Sequence, residues 1–460
     1  MFLKPAARLG GPLLLAPART HPLPSSTFRS LHSYNYRLWA GGAFVSNIGT
    51  WMQRTAQDWI VLAELTPHSA TAVGVVMALQ FGPSLLLLPF TGFAADHFDR
   101  RKLLLFTQSA QGVLALGLGL LTVTEAVQLW HVYVFAFLLG CVTAFDAPAR
   151  QTFVAELVSD KLLSNAVALN STSFNAARMI GPAIAGLAIA GIGTGWVFLI
   201  NAASFVAVIA ALAFLRLDEL YRDERAARKP GSLLEGFRYV RGRADLLTVL
   251  GMLFLIMTFG INFPVFISTM AVSVFHAGSG KFGLLSSMLA IGSVTGALFA
   301  ARRDKPRVSF LLAGAAIFGV GLATAALMPS YVLFGLALVL VGWSAQTFNT
   351  TANSTVQLFT EPVMRGRVMA IYMAIAMGCT PLGAPLVGWV ADSCGPRWSL
   401  AVGAASGFLA ALLGIAYLVR HRGLRLRFEG ARPRLTMVAR DHVVGTPRSD
   451  YRAPETSVTK

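Results

Sequence analysis

Five ionisable side chains lie inside long apolar stretches of this 460-residue chain, where charge is costly. Arg54 and Asp58 are four residues apart, and so are Asp146 and Arg150. Residues four apart share one face of a helix, so each pair can bring an acid next to a base. The fifth group, Arg178, stands alone. Two interpretations remain open: Asp58 or Asp146 takes up and releases a proton, or each pair is a structural ion pair.

A second concentration of charge is the segment Gly92-Phe-Ala-Ala-Asp96-His-Phe-Asp99-Arg100-Arg101-Lys102. The charged residues of this segment lie between two stretches, 65–95 and 103–124, that contain no Lys, Arg, Asp or Glu. Each flank is long enough to cross a bilayer as a helix, which takes about 20 residues. The pattern predicts a short cytoplasmic turn between two membrane spans.

The composition indicates an all-α membrane protein. The chain is 55% hydrophobic and 13% charged, with a mean hydropathy of +0.62, whereas a soluble domain carries about 25% charged residues. Charge-poor stretches recur along the whole sequence. They predict twelve transmembrane helices, at 38–63, 71–94, 103–124, 130–154, 165–190, 196–215, 246–271, 281–301, 308–328, 331–356, 367–391 and 397–419.

The net charge of +17 is a topology signal rather than a sign of nucleic-acid binding. If the twelve spans alternate, 33 of the 38 Lys and Arg residues fall on one side of the membrane. The positive-inside rule then places both termini in the cytoplasm. The same basic excess favours contact with anionic lipid headgroups, so membrane lipid is the expected partner and nucleic acid is not.

The charged linker at 216–244 divides the chain into two blocks of six predicted spans, at 35–215 and 245–420. Within the linker, 231–239 predicts an amphipathic helix. Residues 1–34 and 421–460 are rich in Pro and charge and are expected to be disordered cytoplasmic segments. The three cysteines have no metal-ligand spacing, and we expect neither a metal nor a cofactor.

An internal repeat with an offset of about 203 residues relates the two blocks. Gly181-Pro182-Ala-Ile-Ala-Gly186 is echoed by Gly383-Ala-Pro385-Leu-Val-Gly388. Phe145-Asp-Ala-Pro-Ala-Arg150 is echoed by Phe348-Asn-Thr-Thr-Ala-Asn353. The charged residues of the first copy become asparagines in the second, so we expect the first block to hold the ionisable machinery.

The spacing Gly92-x-x-x-Asp96-x-x-x-Arg100-Arg101 resembles the loop 2–3 signature of the major facilitator superfamily. The amino-acid sequences of span 1, from Asn47 to Trp59, and of the segment Phe145–Arg150 resemble those of the branch that includes the enterobactin exporter and related bacterial secretion permeases. The resemblance covers about 35–420. It implies two pseudo-symmetric six-helix bundles and a secondary transporter. It also implies a gating role for Gly92, Asp96 and Arg100, and less firmly for Arg101.

The helix-5 segment Gly181-Pro182-x-x-x-Gly186 resembles a motif of the antiporter branches of the superfamily, which would favour export. The alternative is an ordinary close contact between helices through small residues.

In this fold the substrate wall should come from spans 1, 4, 7 and 10. The lining candidates are aromatic and amide side chains, which suit a small amphipathic compound; individually, most could equally be packing residues. They are Asn47, Trp51, Gln53, Phe259, Asn262, Phe263, Trp343, Gln346, Asn349 and Asn353.

The sequence thus predicts a monomeric transporter in the cytoplasmic membrane of a bacterium. We expect it to export a drug, siderophore or secondary metabolite by proton-coupled alternating access, with Asp58 slightly favoured as the coupling group. Nutrient uptake is the alternative. A membrane enzyme or receptor would need a catalytic cluster, and His97 and His131 stand alone. No nucleotide-binding loop is present in the sequence, and no enzymatic activity is expected.

Overall fold

The computed structural model describes residues 28–87, 90–91, 94, 97–221, 233–301, 308–422, 424–429 and 432–437. In these residues the chain is helical except for two short strands. The helices are α1 Tyr34–Trp59, α2 Ala70–Leu86, α3 Arg100–Val123, α4 Leu129–Glu156, α5 Asp160–Ile192, α6 Thr194–Ala213, α7 Leu233–Arg241, α8 Ala244–Leu255, α9 Phe263–Thr269, α10 Ser279–Ala301, α11 Val308–Leu327, α12 Tyr331–Phe359, α13 Arg365–Gly378, α14 Thr380–Cys394 and α15 Pro396–Arg422. Short 3₁₀ turns cover Arg29–His32 and Leu217–Glu219.

Two predicted spans are interrupted helices. Span 7 consists of α8, a π-helical turn at Ile256–Gly260, α9 and a second π-helical turn at Met270–Val274. Span 11 consists of α13 and α14. A proline stands in the first turn of both α9 and α14. Proline lacks an N–H and begins a helix more readily than it continues one, which accounts for the new start at each position. A further π-helical turn, Ile60–Glu64, extends α1.

The described residues contain ten helical segments that are long and apolar enough to cross a membrane. They are α3 to α6, the span of α8 and α9, α10 to α12, the span of α13 and α14, and α15. The helix α2 is apolar but has 17 residues, and α1 is rich in polar side chains. The chain is therefore a multi-pass membrane protein.

Hydrogen bonds define two ends of the helical bundle. At the end where α1 begins, Asn35 donates to the carbonyl of Arg216 after α6, and Ser33 donates to Leu157 after α4. We call this the terminal end. At the opposite end, called the far end, Thr194 at the start of α6 donates to Glu64 after α1. Successive long helices therefore run in opposite directions in this part of the chain.

The two halves of the chain, α1–α6 and α8–α15, meet mainly along α2 with α14 and along α5 with α10. Their internal repeat is also visible in the backbone. Gly193 between α5 and α6 has φ 87°, and Gly395 between α14 and α15 has φ 103°. These left-handed turns are separated by close to the offset seen in the sequence, and glycine adopts them without strain.

The segments outside the spans contain regular structure. The linker helix α7 covers Leu233–Arg241, close to the amphipathic helix expected at 231–239. In the C-terminal tail, which the sequence suggests is disordered, strands β1 Leu424–Glu429 and β2 Arg432–Met437 pair antiparallel.

Candidate functional site

A cavity of about 300 Å³ lies between the two halves of the chain. Its N-terminal wall comes from α1, α2 and α5, and its C-terminal wall from the segments of spans 7, 8 and 11. Lining side chains are Trp51, Arg54, Thr55, Asp58, Met77, Gln80, Phe81, Arg178, Pro182, Ile261, Phe263, Pro264, Ile267, Phe282, Ser286, Leu289, Ala290, Ala376, Met377 and Thr380. A mostly apolar wall with a few polar groups is typical of a small-molecule site.

Three of the five predicted ionisable groups line this cavity: Arg54, Asp58 and Arg178. The Cζ atom of Arg54 lies 5.1 Å from the ring centroid of Trp51, and the Cζ atom of Arg178 lies 5.8 Å from the same ring. In the described residues, no ion pair or hydrogen bond joins either arginine to a carboxylate. The four-residue spacing of Arg54 and Asp58 therefore places them on one face without pairing them, and the arginine contacts aromatic rings instead.

The other two ionisable groups form a separate cluster nearer the terminal end. Asp146 and Arg150 on α4 are an ion pair with an N–O distance of 3.1 Å. One oxygen of Asp146 also accepts from the Thr107 hydroxyl at 2.7 Å and from the Gln108 amide at 2.6 Å. Arg150 donates to Asn47 on α1 at 3.0 Å. Both oxygens of Asp146 thus have donors, and the cluster ties α4 to α3 and α1.

The lining candidates from the first half of the chain are divided between the cavity and other contacts. Trp51 lines the cavity. Asn47 accepts from Arg150, as described above. Gln53 is 4% exposed and accepts a hydrogen bond from Asn201 on α6. Positions 51 and 53 point to nearly opposite sides of α1, whereas Asn47 shares the face of Trp51 but lies one turn nearer the terminal end, beside Arg150.

The candidates around span 7 are divided in a similar way. Phe263 lines the cavity, and Phe259 is half-buried against the main apolar core. Asn262 is fully buried at the break between α8 and α9, where its amide donates to the Thr258 carbonyl at 2.8 Å. Its side-chain oxygen has no partner in the described residues.

The four candidates on α12 are not among the residues that line this cavity. Trp343 packs on Phe299 with ring centroids 5.1 Å apart. Asn349 accepts from the Tyr372 hydroxyl at 2.7 Å. Gln346 donates to Thr350 at 3.3 Å, and Asn353 accepts from Gln357 at 2.6 Å. These contacts are local to α12 or join it to neighbouring helices of the same half.

The charged turn after α2 is described in part. Gly92 and Asp96 lie outside the described residues. Arg100 forms an ion pair with Glu156 at 2.7 Å, which joins the start of α3 to the end of α4. Arg101 donates from Nε to the Leu212 carbonyl at 2.7 Å, near the end of α6. Both arginines therefore brace helices of the first half at the terminal end.

The helix-5 motif contacts both halves of the chain. A Cβ atom at Gly181 would lie 2.6 Å from Cβ of Trp51 on α1. A Cβ atom at Gly186 would lie 2.6 Å from the Ser279 carbonyl at the start of α10, and Gly283 packs against Pro182 and Gly186. The missing side chains let α5 approach both neighbours, and Gly181 brings Arg178, one turn earlier, close to Trp51.

Sequence reasoning did not single out three polar residues that the structure brings to notable positions. Gln80 lines the cavity and donates to the buried Gln57 at 2.9 Å. Ser286 lines the wall from the second half. Asp392 on α14 contacts the start of α2. Asp392 alone carried a usable signal, because it is the single acid between 368 and 400.

This architecture, a multi-pass helical bundle with a mostly apolar cavity that holds a few charged groups between its halves, is that of a membrane transporter. A family model described as "Transmembrane secretion effector" matches residues 21–425. The chain belongs to this family of the major facilitator superfamily, which confirms the resemblance seen in the sequence.

Two curated relatives match over most of their length. The Staphyloferrin A transporter of Staphylococcus aureus is 27% identical over 394 residues, covering 84% of this chain and 96% of the relative. The Enterobactin exporter EntS of Shigella flexneri is 26% identical over 380 residues, covering 82% and 89%. Both relatives are named as transporters rather than enzymes.

Solved structures share the fold at low sequence identity. A bacterial homologue of the human lysosomal transporter Spinster, inward-facing and unoccupied, has a TM-score of 0.63 at 13% identity and covers 83% of this chain and 95% of that one. The nucleoside transporter NupG, as a D323A mutant, has a TM-score of 0.66 at 12% identity and covers 83% and 99%. These similarities identify the fold alone.

Proposed function

We propose that the protein exports a small amphipathic organic compound, such as a drug, siderophore or secondary metabolite, by proton-coupled alternating access. The observation that carries this proposal is the cavity between the halves, where three ionisable groups share a largely apolar wall. Ionisable side chains within membrane-spanning segments mark substrate and proton paths. The relatives named as a staphyloferrin A transporter and an enterobactin exporter support a small-molecule substrate.

The proposal includes a twelve-span arrangement in two pseudo-symmetric six-helix bundles, with α1–α6 in one and α8–α15 in the other. The helices α1 and α2 would complete the ten apolar spans to twelve. The distribution of Lys and Arg supports an orientation with the terminal end, and both termini, in the cytoplasm of a bacterial cell. The halves would rock about the cavity so that one end opens at a time.

Asp58 is the proposed proton-coupling residue, because its surroundings differ from those of Asp146. Asp146 has donors at both oxygens within its own half. Asp58 lines the cavity, where a change of shape alters its exposure to water and to Arg54. A carboxylate in that position can alternate between protonated and ionised forms during the cycle.

Everted membrane vesicles with an acidified interior test this function directly. Three probes share the naphthalene ring system and differ in charge: naphthalene-1-sulfonate, 1-naphthylmethanol and (1-naphthylmethyl)trimethylammonium. We expect gradient-driven accumulation of at least one probe, and its loss in Asp58→Asn with gradient-independent exchange retained. Asp146→Asn is the matched control, since it changes an acid outside the cavity.

Accumulation only in right-side-out cells would favour the alternative, uptake. No accumulation in either orientation would contradict a transport function. Normal gradient-driven transport by Asp58→Asn would remove Asp58 from the coupling mechanism.

The gating role of the turn after α2 also belongs to this proposal. A carboxylate at Asp96 can pair with an arginine or with the positive end of a helix and hold the terminal end closed. Asp96→Asn should then favour the state that is open to the cytoplasm. Cysteine labelling from the cytoplasmic side measures the shift, and an unchanged labelling rate would contradict the gate.

A further inference from the structure

The charges in the cavity wall do not balance. Arg54 and Arg178 supply two guanidinium groups, and Asp58 supplies one carboxylate. These are the charged side chains among the described residues that line the cavity. The wall therefore presents an excess of positive charge to anything that enters.

Both guanidinium groups contact aromatic rings, and neither donates a hydrogen bond to another residue that the structure describes. The Cζ atom of Arg54 lies 5.1 Å from the ring centroid of Trp51 and 5.3 Å from that of Phe81. Arg178 approaches Trp51 at 5.8 Å. A ring face attracts the positive charge but does not replace an oxygen acceptor. The Nε of Arg54 is buried and has no hydrogen-bond partner in the described part of the chain.

We propose that the cavity selects an organic anion, an oxyanion carried on an apolar body and held by Arg54 and Arg178 around Trp51. The proposal rests on the transport function above and names the substrate class for the same cavity. Planar guanidinium forks bind oxyanions with two parallel hydrogen bonds. The aromatic wall of Trp51, Phe81 and Phe263 accommodates the apolar body. A permanent cation would instead meet two like charges.

Equilibrium binding to the purified protein tests this selectivity without any transport step. Titration calorimetry with the three naphthalene probes compares one ring bearing a negative, neutral or positive group. We expect the sulfonate to bind most tightly and the trimethylammonium compound most weakly. Arg54→Gln and Arg178→Gln should each weaken sulfonate binding roughly thirtyfold and leave the alcohol nearly unchanged. Retained alcohol binding also shows that the variant is folded.

One further variant separates the charge of Arg54 from the geometry of its guanidinium group, and a second serves as a control. Arg54→Lys keeps the charge without the fork, and we expect an intermediate loss. Arg397→Gln is the matched control: this exposed arginine at the far end donates to the Met328 carbonyl, and its loss should not change binding. Trimethylammonium binding as tight as sulfonate binding would overturn the proposal. So would unchanged sulfonate binding in both cavity variants, or no sulfonate binding up to its solubility limit.

The two proposals fail in distinguishable ways. Selective sulfonate binding without transport of any probe would contradict the transport function and leave anion selectivity intact. Gradient-driven transport of the trimethylammonium compound would support the function and overturn the selectivity.

An independent observation lies at the far end, where Asp392 of α14 contacts the first turn of α2. One carboxylate oxygen accepts from the Ala70 N–H at 2.7 Å. The other accepts from the Thr71 N–H at 2.9 Å, the Thr71 hydroxyl at 2.6 Å and the Ser69 hydroxyl at 3.2 Å. One turn below, a Cβ atom at Gly388 would lie 2.5 Å from the Ala70 carbonyl. Asp392 therefore lies at the far-end limit of a close contact between α14 and α2.

We infer that Asp392 is a latch that holds the far end closed during the transport cycle. The N–H groups at a helix start lack partners within the helix and carry partial positive charge, so an acid there is stabilising. Asp392 and α2 belong to different halves of the chain. Separation of the halves at the far end must break all four hydrogen bonds. The carboxylate is exposed, so water replaces those bonds and the latch can close again.

Cysteine labelling from the far side tests the latch. In a variant with its native cysteines replaced, Ser286→Cys places a thiol in the cavity wall. Asp392→Ala should raise its labelling rate by a membrane-impermeant maleimide roughly tenfold, and Asp392→Asn by less. Glu64→Gln is the matched control, because this far-end acid accepts from Thr194 within one half. Unchanged labelling in both Asp392 variants, or an equal rise in the control, would overturn the latch.

Discussion

Equivalent positions of the internal repeat hold a charged cluster in α4 and an uncharged one in α12. In α4, Asp146 binds Arg150, Thr107 and Gln108, and Arg150 continues to Asn47. In α12, the position that matches Asp146 is Asn349, which accepts from Tyr372 alone among the described side chains. Both clusters join helices within their own half. The first half uses charge where the second uses amides.

The same asymmetry extends to the cavity between the halves. Its charged groups, Arg54, Asp58 and Arg178, all come from the first half. The second half contributes apolar side chains and the hydroxyls of Ser286 and Thr380. One half thus provides the ionisable groups, and the other provides a neutral wall. A repeated scaffold can thus place charge in one copy and keep the other copy neutral, which avoids a second desolvation penalty.

The largest expected effect is at the charged cluster. Asp146→Ala removes the acceptor of three side chains and leaves Arg150, which is 17% exposed, without its acid. Loss of one partner of a buried pair costs roughly 3–5 kcal/mol. We expect a loss of this size in the free energy of unfolding in detergent.

The double variant Asp146→Asn with Arg150→Asn gives the first half the amides of the second. It should cost clearly less than Asp146→Ala, because no buried charge is left alone. If the double variant lost as much unfolding free energy as Asp146→Ala, or more, amides could not replace the charged pair of α4.

A smaller effect is expected at the uncharged cluster. Asn349→Ala removes the side-chain acceptor of the Tyr372 hydroxyl, while the Asn349 backbone carbonyl remains at 3.2 Å. The expected loss in unfolding free energy is about 1 kcal/mol. Tyr372→Phe removes the donor and serves as the control. If Asn349→Ala lowered the free energy of unfolding as much as Asp146→Ala, the amide cluster of α12 would contribute as much stability as the charged cluster of α4.

The smallest effect is expected where charge is exposed. Arg216 and Glu219 form an ion pair at 3.0 Å beyond α6, with side chains 56% and 46% exposed. The hydrogen bond to Glu219 raises the pKa of the Arg216 guanidinium. Solvent screens such a pair, so Glu219→Gln should leave the unfolding temperature unchanged. A clear drop in the unfolding temperature would mean that this exposed ion pair stabilises the protein as the buried pair in α4 does, despite its contact with solvent.

Local spacing predicted some of these arrangements and not others. The four-residue spacing of Asp146 and Arg150 does give an ion pair. The same spacing in Arg54 and Asp58 does not, and the guanidinium of Arg54 lies over the rings of Trp51 and Phe81 instead. The hydropathy pattern did not predict the helix interruptions in spans 7 and 11, because both spans lack charged residues on either side of Asn262 and Cys379. Hydropathy reports the environment of a segment and not the state of its backbone hydrogen bonds.

The amino-acid sequence is enough to predict that the chain lies in a membrane, which superfamily it belongs to and which half carries the buried charges. Those properties follow from composition and from motifs within single segments. The three-dimensional arrangement of the helices was needed to see that Arg178 shares a cavity with Arg54 and Asp58, that Asp146 does not line it, and that Asp392 contacts α2. The physical reason is that spacing along a helix fixes neighbours on that helix. Which helix faces another depends on close packing between segments that are far apart in the sequence, at glycines such as Gly186 and Gly388.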